Sequence, residues 1–266
     1  MKSSAISIGK DSNYNEDAVM AHDNVIAVSD GAGGGGLFAD KWAQYLLAKL
    51  PTKPINSFIS FDNWIDSIWE NFYSSQERIA KNLAPIALNK FYTEGSFATL
   101  AAIWKIEETV YWISYGDSAI FCYDYDSHEL FCSVNKLVEF NDAPHLISTN
   151  NPLIMDGFKY GTCSASSSKV FFCASDALSF YILASYYFHK GDKNNKQLME
   201  VINSCSKNAN IVRNIITNKS LDFENDILNK LQRASRNKHN FTLHMMRIFR
   251  AGLIAHDDYS ICFMKM

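Results

Sequence analysis

Acidic residues flank several apolar runs of this sequence, at positions where strands are expected to begin or end. They are Glu16 and Asp17 in NEDA, Asp30 in VIAVSDG, Asp117 in YGDS, Asp176 in CASDAL, and Asp257 and Asp258 in HDDYS. Carboxylates gathered at the edge of one sheet system would repel each other unless a cation lay among them. Mg²⁺ and Mn²⁺ prefer carboxylate and water oxygens. The pattern therefore indicates a site for divalent cations.

These acidic residues also have a simpler interpretation. An Asp after a strand often caps the helix or turn that follows, and this alternative stays open for Asp30 and Asp176. Asp117 would fit a turn between two strands equally well.

The glycine run after Asp30 satisfies the GxGxxG spacing of dinucleotide-binding loops at Gly31, Gly33 and Gly36. That interpretation requires a parallel strand ending in an acid about 20 residues further on. The corresponding stretch reads AKLPTKPIN and contains no acid. No Lys-Ser or Lys-Thr pair completes a P-loop either. We therefore expect a tight strand-to-helix turn and no bound nucleotide.

Hydrophobic periodicity predicts the elements that position these residues. In chain order they are three short strands within 3–30, a helix over 37–50, a helix over about 62–83 capped by Asp62, an antiparallel meander over 96–134, an irregular flap near 139–168, a strand over 169–175, a mostly helical region over 177–250 and a final strand over 256–266. No repeat or low-complexity linker divides the chain. A single domain, residues 1–266, is expected.

Composition narrows the class of protein. The net charge of −3 provides no clustered positive charge for nucleic acid or anionic lipid. The amino terminus lacks the apolar core of a signal peptide, and the longest apolar-rich run, 178–188, is too short to span a membrane. The six cysteines stand singly and predict buried thiols in a reducing compartment. These features predict a soluble cytoplasmic protein without nucleic-acid or membrane partners.

Five motifs, taken in order, resemble the metal-dependent protein phosphatases of type 2C, in a form typical of bacteria. They are NEDA, VIAVSDGAGG, GSFATLAAIW followed by YWISYGDSAIF, VFFCASDAL and DDYSICFM. The resemblance covers roughly 9–126, 169–178 and 256–264, whereas 179–255 matches no motif of the family. It implies an α+β fold in which two antiparallel sheets pack as a sandwich with helices on both outer sides (αββα).

The resemblance also implies a site for two Mg²⁺ or Mn²⁺ ions, with Asp30, Asp176 and Asp257 as its catalytic carboxylates. Asp30 would bridge the ions, and the backbone carbonyl of Gly31 would ligate one of them. Asp176 and Asp257 would complete the other. Where the sequence alone leaves Asp257 and Asp258 open, the family's Asp-Asn/Asp-x-Thr/Ser pattern favours Asp257.

The remaining expected ligands lie in the amino-terminal half. By the resemblance, Glu16 and Asp17 would bind the first ion directly or through its waters. Asp117 matches a position that helps to hold a third ion in some relatives. Two such ions can activate a bridging water, so that a metal-bound hydroxide attacks the phosphorus in line.

Three positions depart from the family's pattern. Ser12 stands where many members carry a phosphate-binding Arg, Ala32 where animal members carry His, and Ala177 where SDG is usual. No carboxylate is lost. Without the Arg, phosphate binding would depend on the metals unless Lys10 or a lysine of the helical region reaches the cleft.

The function implied by the resemblance is hydrolysis of phosphoserine and phosphothreonine in proteins, with a role in bacterial signalling. Two alternatives remain open from the sequence: a non-catalytic relative that binds or senses a ligand, and a hydrolase of a small phosphoester. The sequence indicates neither the physiological substrate nor an oligomeric state.

Overall fold

A computed structural model describes residues 2–11, 14–22, 24–34, 36–191, 195–217 and 222–265 of the chain. Its strands are β1 (Lys2–Ile8), β2 (Ala18–His22), β3 (Val25–Ser29), β4 (Phe97–Ala98), β5 (Leu100–Ile106), β6 (Thr109–Tyr115), β7 (Ala119–Asp124), β8 (Glu129–Cys132), β9 (Ile147–Ser148), β10 (Phe158–Ser164), β11 (Lys169–Ala174) and β12 (Tyr259–Lys265). Two five-stranded antiparallel sheets result, in the orders β1-β12-β11-β7-β8 and β10-β6-β5-β3-β2. A short ladder pairs β4 with β9.

Helices cover both outer faces of the two sheets. They are α1 (Ala39–Ala48), α2 (Phe58–Ala80), α3 (Pro85–Glu94), α4 (Asp176–Lys190), α5 (Lys196–Asn203), α6 (Ala209–Thr217), α7 (Asn229–Ala234) and α8 (Lys238–Arg250), with 3₁₀ turns at Leu137–Asn141 and Met155–Gly157 and a π turn at Phe223–Leu228. Within the described ranges, no helix is both long and apolar enough to cross a bilayer.

The core has three layers that follow from strand alternation. Phe171 of β11 lies in the apolar cluster between the two sheets, whereas its neighbour Phe172 packs in the cluster shared with α4 to α8. A third cluster joins the other sheet to α1 and α2. This arrangement confirms the predicted αββα sandwich.

The predicted single meander over 96–134 is wrong, because the chain changes sheets in its middle. Strands β5 and β6 belong to one sheet, and β7 and β8 to the other. The change occurs at Gly116, whose φ is +92°. A Cβ at this position would lie 2.7 Å from Thr99 Cγ2 and 2.9 Å from the His145 carbonyl oxygen, so glycine suits both the conformation and the space.

The helix predicted from Asp62 begins one turn earlier. Ser57 is its N-cap, and the Ser57 hydroxyl accepts a hydrogen bond from the Ser60 amide at 3.2 Å. Asp62 therefore lies inside α2 and does not cap it. Helix α3, with Pro85 in its first turn, was not predicted at all.

The segment predicted as an irregular flap contains regular structure. Phe158–Ser164 is strand β10, which pairs with β6 at the edge of its sheet. The two 3₁₀ turns and β9 occupy part of the remainder.

Candidate active site

An open cleft of about 510 Å³ lies where strand ends of the two sheets meet. Six of the seven expected ligands line it: Glu16, Asp30, Gly31, Asp117, Asp176 and Asp257. The seventh, Asp17, is buried, with 5% of its surface exposed, and is not part of the lining. Ser12 lies outside the described residues.

Asp30 follows β3 and is held by the start of β5. The Thr99 amide donates to the Asp30 carbonyl at 2.8 Å, and the Asp30 amide donates to the Thr99 hydroxyl at 3.3 Å. Burial raises the pKa of Asp30 well above its usual range, and the charges of four other aspartates raise it further: Asp17, Asp176, Asp117 and Asp257. Asp30 is thus repelled by the carboxylates of four neighbouring aspartates.

Asp17 immediately precedes β2, and its charge acts on Asp30. Its amide donates to the Asn15 side-chain oxygen at 3.0 Å, but neither of its own buried carboxylate oxygens has a hydrogen-bond partner. The side chains of Ser260, Asp30 and Ser175 lie close enough to offset part of the rise in the Asp17 pKa, but none of them has the geometry of a hydrogen bond to its carboxylate. Burial, with the Asp258 charge, raises the pKa of Asp17 to about 7. Two unpartnered buried oxygens are rare in folded proteins and call for a ligand.

Asp117 occupies the crossover between the sheets. The adjacent Ser118 hydroxyl hydrogen-bonds the Thr99 hydroxyl at 2.6 Å, which ties this crossover to the residue that holds Asp30. Burial raises the pKa of Asp117 to about 6, Asp257 adds to the rise, and Lys207 opposes it.

Asp176 and Asp257 lie at the ends of two neighbouring strands, Asp176 just after β11 and Asp257 just before β12. The Ser175 amide donates to the Ser260 carbonyl at 3.0 Å, which brings the end of β11 beside the start of β12. Asp176 is the first residue of α4, and its carboxylate contacts the amide of Ala177. Burial and the charges of Asp117 and Asp257 raise the pKa of Asp176 well above its usual range. Ala177 lies in the first helical turn without positive φ, so a glycine is not needed there.

Asp258 has a different environment from Asp257. It is buried, and its two oxygens accept backbone hydrogen bonds from Lys10 and Glu16, each at 2.7 Å. These contacts hold the loop between β1 and β2 against the start of β12. Asp257 instead lines the cleft.

Glycines of the run after Asp30 allow close packing around Glu16. A Cβ at Gly33 would lie 1.6 Å from Glu16 Oε1, and a Cβ at Gly31 would lie 2.6 Å from the Glu16 carbonyl oxygen. Any side chain at Gly33 would displace the Glu16 carboxylate. Gly31 and Gly33 therefore make room for Glu16, a role that requires no bound nucleotide.

Two lysines line the cleft. The sequence named Lys10 and an unspecified lysine of the helical region as candidates. Lys10 Nζ lies 3.4 Å from Asp257 Oδ1 and 3.9 Å from Glu16 Oε2. Burial lowers the pKa of Lys10, but the surrounding acidic charges outweigh it and the net shift is upward. Lys207, between α5 and α6, is the second. No local signal singles out Lys207, because only the tertiary fold brings it to the cleft.

The side chains of the cleft are of the type that binds hard divalent cations, although they are not arranged as a complete set of metal ligands. In the part of the chain that is described, no three Asp, Glu, His or Cys side chains form a group arranged to hold a metal ion. The carboxylates nevertheless lie within electrostatic range of one another, and both oxygens of Asp17 lack partners. Carboxylate oxygens of this kind are the donors that Mg²⁺ and Mn²⁺ take.

We expect the metal-free protein to lose stability as the pH rises from about 5 to about 8. The folded-state pKa values of Asp17 (about 7) and Asp117 (about 6) exceed the unfolded values, so the folded state binds more protons in this window. Stability is greatest while these groups are protonated and declines as they ionise. Urea unfolding in EDTA at a series of pH values measures this. Asp17→Asn should flatten the slope, and a parent stability that is constant or rises with pH would contradict the expectation.

No protein-family model matches the sequence, and no curated protein matches it. Solved structures do match along the whole chain. Serine/threonine phosphatase Stp1 from Staphylococcus aureus is 12% identical over 100% of this chain and 94% of that one, with a TM-score of 0.54. The serine/threonine phosphatase PstP/Ppp of Mycobacterium tuberculosis is 16% identical over 98% and 97%, with a TM-score of 0.51.

A structure of the PstP catalytic domain contains two manganese ions; it is 16% identical over 98% of this chain and 96% of that one, with a TM-score of 0.51. Identities this low establish the fold and nothing finer. The sheet order, the helices on both outer faces and these likenesses agree: the chain has the αββα fold of bacterial serine/threonine phosphatases of type 2C.

Proposed function

We propose that the chain is a Mg²⁺- or Mn²⁺-dependent phosphatase that hydrolyses phosphoserine and phosphothreonine in proteins, with a role in bacterial cytoplasmic signalling. One observation carries the proposal. Asp30 lies at the centre of a carboxylate cluster that lines an open cleft, and beneath it Asp17 has two buried oxygens without partners. A structure of the same fold, that of PstP, contains two manganese ions.

The cleft residues divide into two groups around Asp30, which would contact both ions. The Gly31 carbonyl, Glu16 and Asp17 would hold one ion on the β2 side, and Asp176 and Asp257 would hold the other on the β11–β12 side. Asp117 is the candidate for a third. When bound, such a pair of ions lowers the pKa of water and neutralises charge on the phosphoryl oxygens.

The other residues of the site position these carboxylates. Thr99 fixes the backbone of Asp30 and is itself held by Ser118, so one hydroxyl pair connects both sheets at the cleft. Asp258 anchors the loop that carries Glu16. Lys10 places an ammonium group at the cleft wall, where it can donate to a phosphoryl oxygen of the substrate.

The experiment that tests this function compares substrates in Mn²⁺. We expect the purified chain to release inorganic phosphate from phosphoserine and phosphothreonine peptides with a higher kcat/KM than from p-nitrophenyl phosphate or a sugar phosphate. A preference for the sugar phosphate would identify a hydrolase of small phosphoesters. Peptide binding without phosphate release would identify a non-catalytic binding module. Either result would refute the proposal.

A further inference from the structure

The turn between α5 and α6, residues 204–208, belongs to the region of the chain that matches no motif of the phosphatase family, yet it reaches the candidate active site. Lys207 of this turn lines the same cleft as Asp30 and Asp176. Its positive charge acts on Asp117, where it opposes the rise of the pKa caused by burial. The helical region thus contributes a cation to a cleft otherwise rich in carboxylates.

Hydrogen bonds hold this turn in place. The side chain of Asn208 is buried, with 4% of its surface exposed, and donates to Asn141 Oδ1 at 3.0 Å. Asn141 in turn donates to the Ser204 hydroxyl at 3.3 Å, so the turn is joined at two points to the 3₁₀ segment 137–141. Asn141 itself lines the cleft.

The backbone conformation of the turn also helps to direct Lys207 toward the cleft. Cys205 has a φ of +53°, a left-handed conformation that is uncommon for a residue with a side chain. It ends α5, and Lys207 follows two residues later. A further link joins α5 to the 3₁₀ segment, because the Leu137 amide donates to the Gln197 side-chain oxygen at 3.1 Å. Lys207 therefore extends from a fixed turn into the cleft.

A cation is needed here if the cleft accepts a phosphate dianion. Six carboxylates line the cleft, so two divalent cations would leave residual negative charge near an incoming phosphate. Lys10 supplies one cation, but Asp257 at 3.4 Å and Glu16 at 3.9 Å already balance part of its charge. No ion pair within 4.0 Å involves Lys207 among the described residues. Its ammonium group therefore retains its donors for a ligand.

We propose that Lys207 binds the phosphoryl group of the substrate, and that Asn208 positions it through Asn141. The inference rests on the proposed function in that the ligand is a phosphorylated protein, but it concerns binding rather than hydrolysis. It assigns the helical region a part in substrate recognition.

The test measures binding separately from turnover. Isothermal titration in Mg²⁺ with a peptide carrying a phosphonate in place of phosphoserine needs no catalysis. We expect Lys207→Met to weaken binding about tenfold, the scale of one hydrogen bond to a charged group. Lys207→Arg should bind nearly as well as the parent, and Lys196→Met is the matched control on the same helical region, where an exposed lysine lies outside the cleft lining.

Asn208 is tested through its dependence on Lys207. Asn208→Ala alone should weaken binding several-fold, and the same change in the Lys207→Met background should add little, because residues that act as one unit are not additive. Unfolding in urea identifies any variant that has lost its fold. An additive effect of Asn208→Ala would overturn its positioning role.

The outcomes separate the two proposals. If the parent hydrolyses phosphopeptides and Lys207→Met retains the parent's affinity and KM, the inference fails and the proposed function stands. If the parent binds the phosphonate peptide but releases no phosphate, the proposed function fails, and loss of binding in Lys207→Met still supports the inference. A parent that binds no phosphonate peptide would overturn the inference.

Discussion

Asp30→Asn is expected to abolish hydrolysis of a phosphoserine peptide in Mn²⁺, with kcat reduced at least about a hundredfold, the scale of losing one electrostatic stabiliser of the transition state. Asp30 is the carboxylate on which four neighbouring aspartates act, and the only one proposed to contact both ions. The amide keeps the shape of the side chain but removes the negative charge. Steady-state kinetics with Mn²⁺ in excess measures the loss.

The same variant should be more stable than the parent in EDTA at pH 8, because it removes one buried charge from a repelling cluster. This second readout distinguishes loss of a ligand from loss of the fold. Asp117→Asn is the matched control and should reduce turnover less, since Asp117 is expected to contact only a third ion. Parent-like turnover in Asp30→Asn would contradict the assignment of the site.

Substitution of Asp258 should reduce stability, whereas substitution of Asp257 should reduce turnover. Asp258→Ala leaves the amides of Lys10 and Glu16 without acceptors, and we expect it to lower the free energy of unfolding by about 2–4 kcal/mol, the scale for losing two part-buried hydrogen bonds to a charged group. Asp257→Asn should leave that free energy within about 1 kcal/mol of the parent, as for a partly exposed residue. It should reduce kcat about a hundredfold, as for a lost metal ligand.

Urea unfolding and hydrolysis in Mn²⁺ measure both effects on the same preparations. Comparison of the two variants shows which of the two residues is the metal ligand more directly than either variant does alone. Full activity in Asp257→Asn together with an inactive but stable Asp258→Ala would show that Asp258 is the ligand and that Asp257 is not.

The sequence predicted the positions of the strands better than it predicted which strands pair in each sheet. Apolar runs ending in polar residues locate β3 and β11 almost to the residue. Periodicity cannot reveal that β6 and β7 belong to different sheets, because both alternate in the same way and the crossover depends on space beside Thr99. The cap of α2 was missed for a similar reason, since Ser57 and Asp62 are both good N-caps and only the hydrogen bond to Ser60 distinguishes them.

In the candidate site, too, the sequence predicted some residues and not others. Carboxylates at strand ends could be found because each lies beside an apolar run. The residues that position them could not, since the contact of Asp258 with Glu16 spans 242 residues and that of Asn208 with Asn141 spans 67. Lys207 carries no motif, and only the folded helical region shows its place.

Metal dependence of phosphopeptide hydrolysis tests the central claim most directly. Protein treated with EDTA and then freed of it should release no phosphate from a phosphoserine peptide, and titration with Mn²⁺ or Mg²⁺ should restore turnover until about two ions per chain are bound. Mn²⁺ binding measured in parallel on Asp30→Asn should be weaker. Turnover that persists in EDTA, or a parent that remains inactive with every divalent ion tested, would contradict the account.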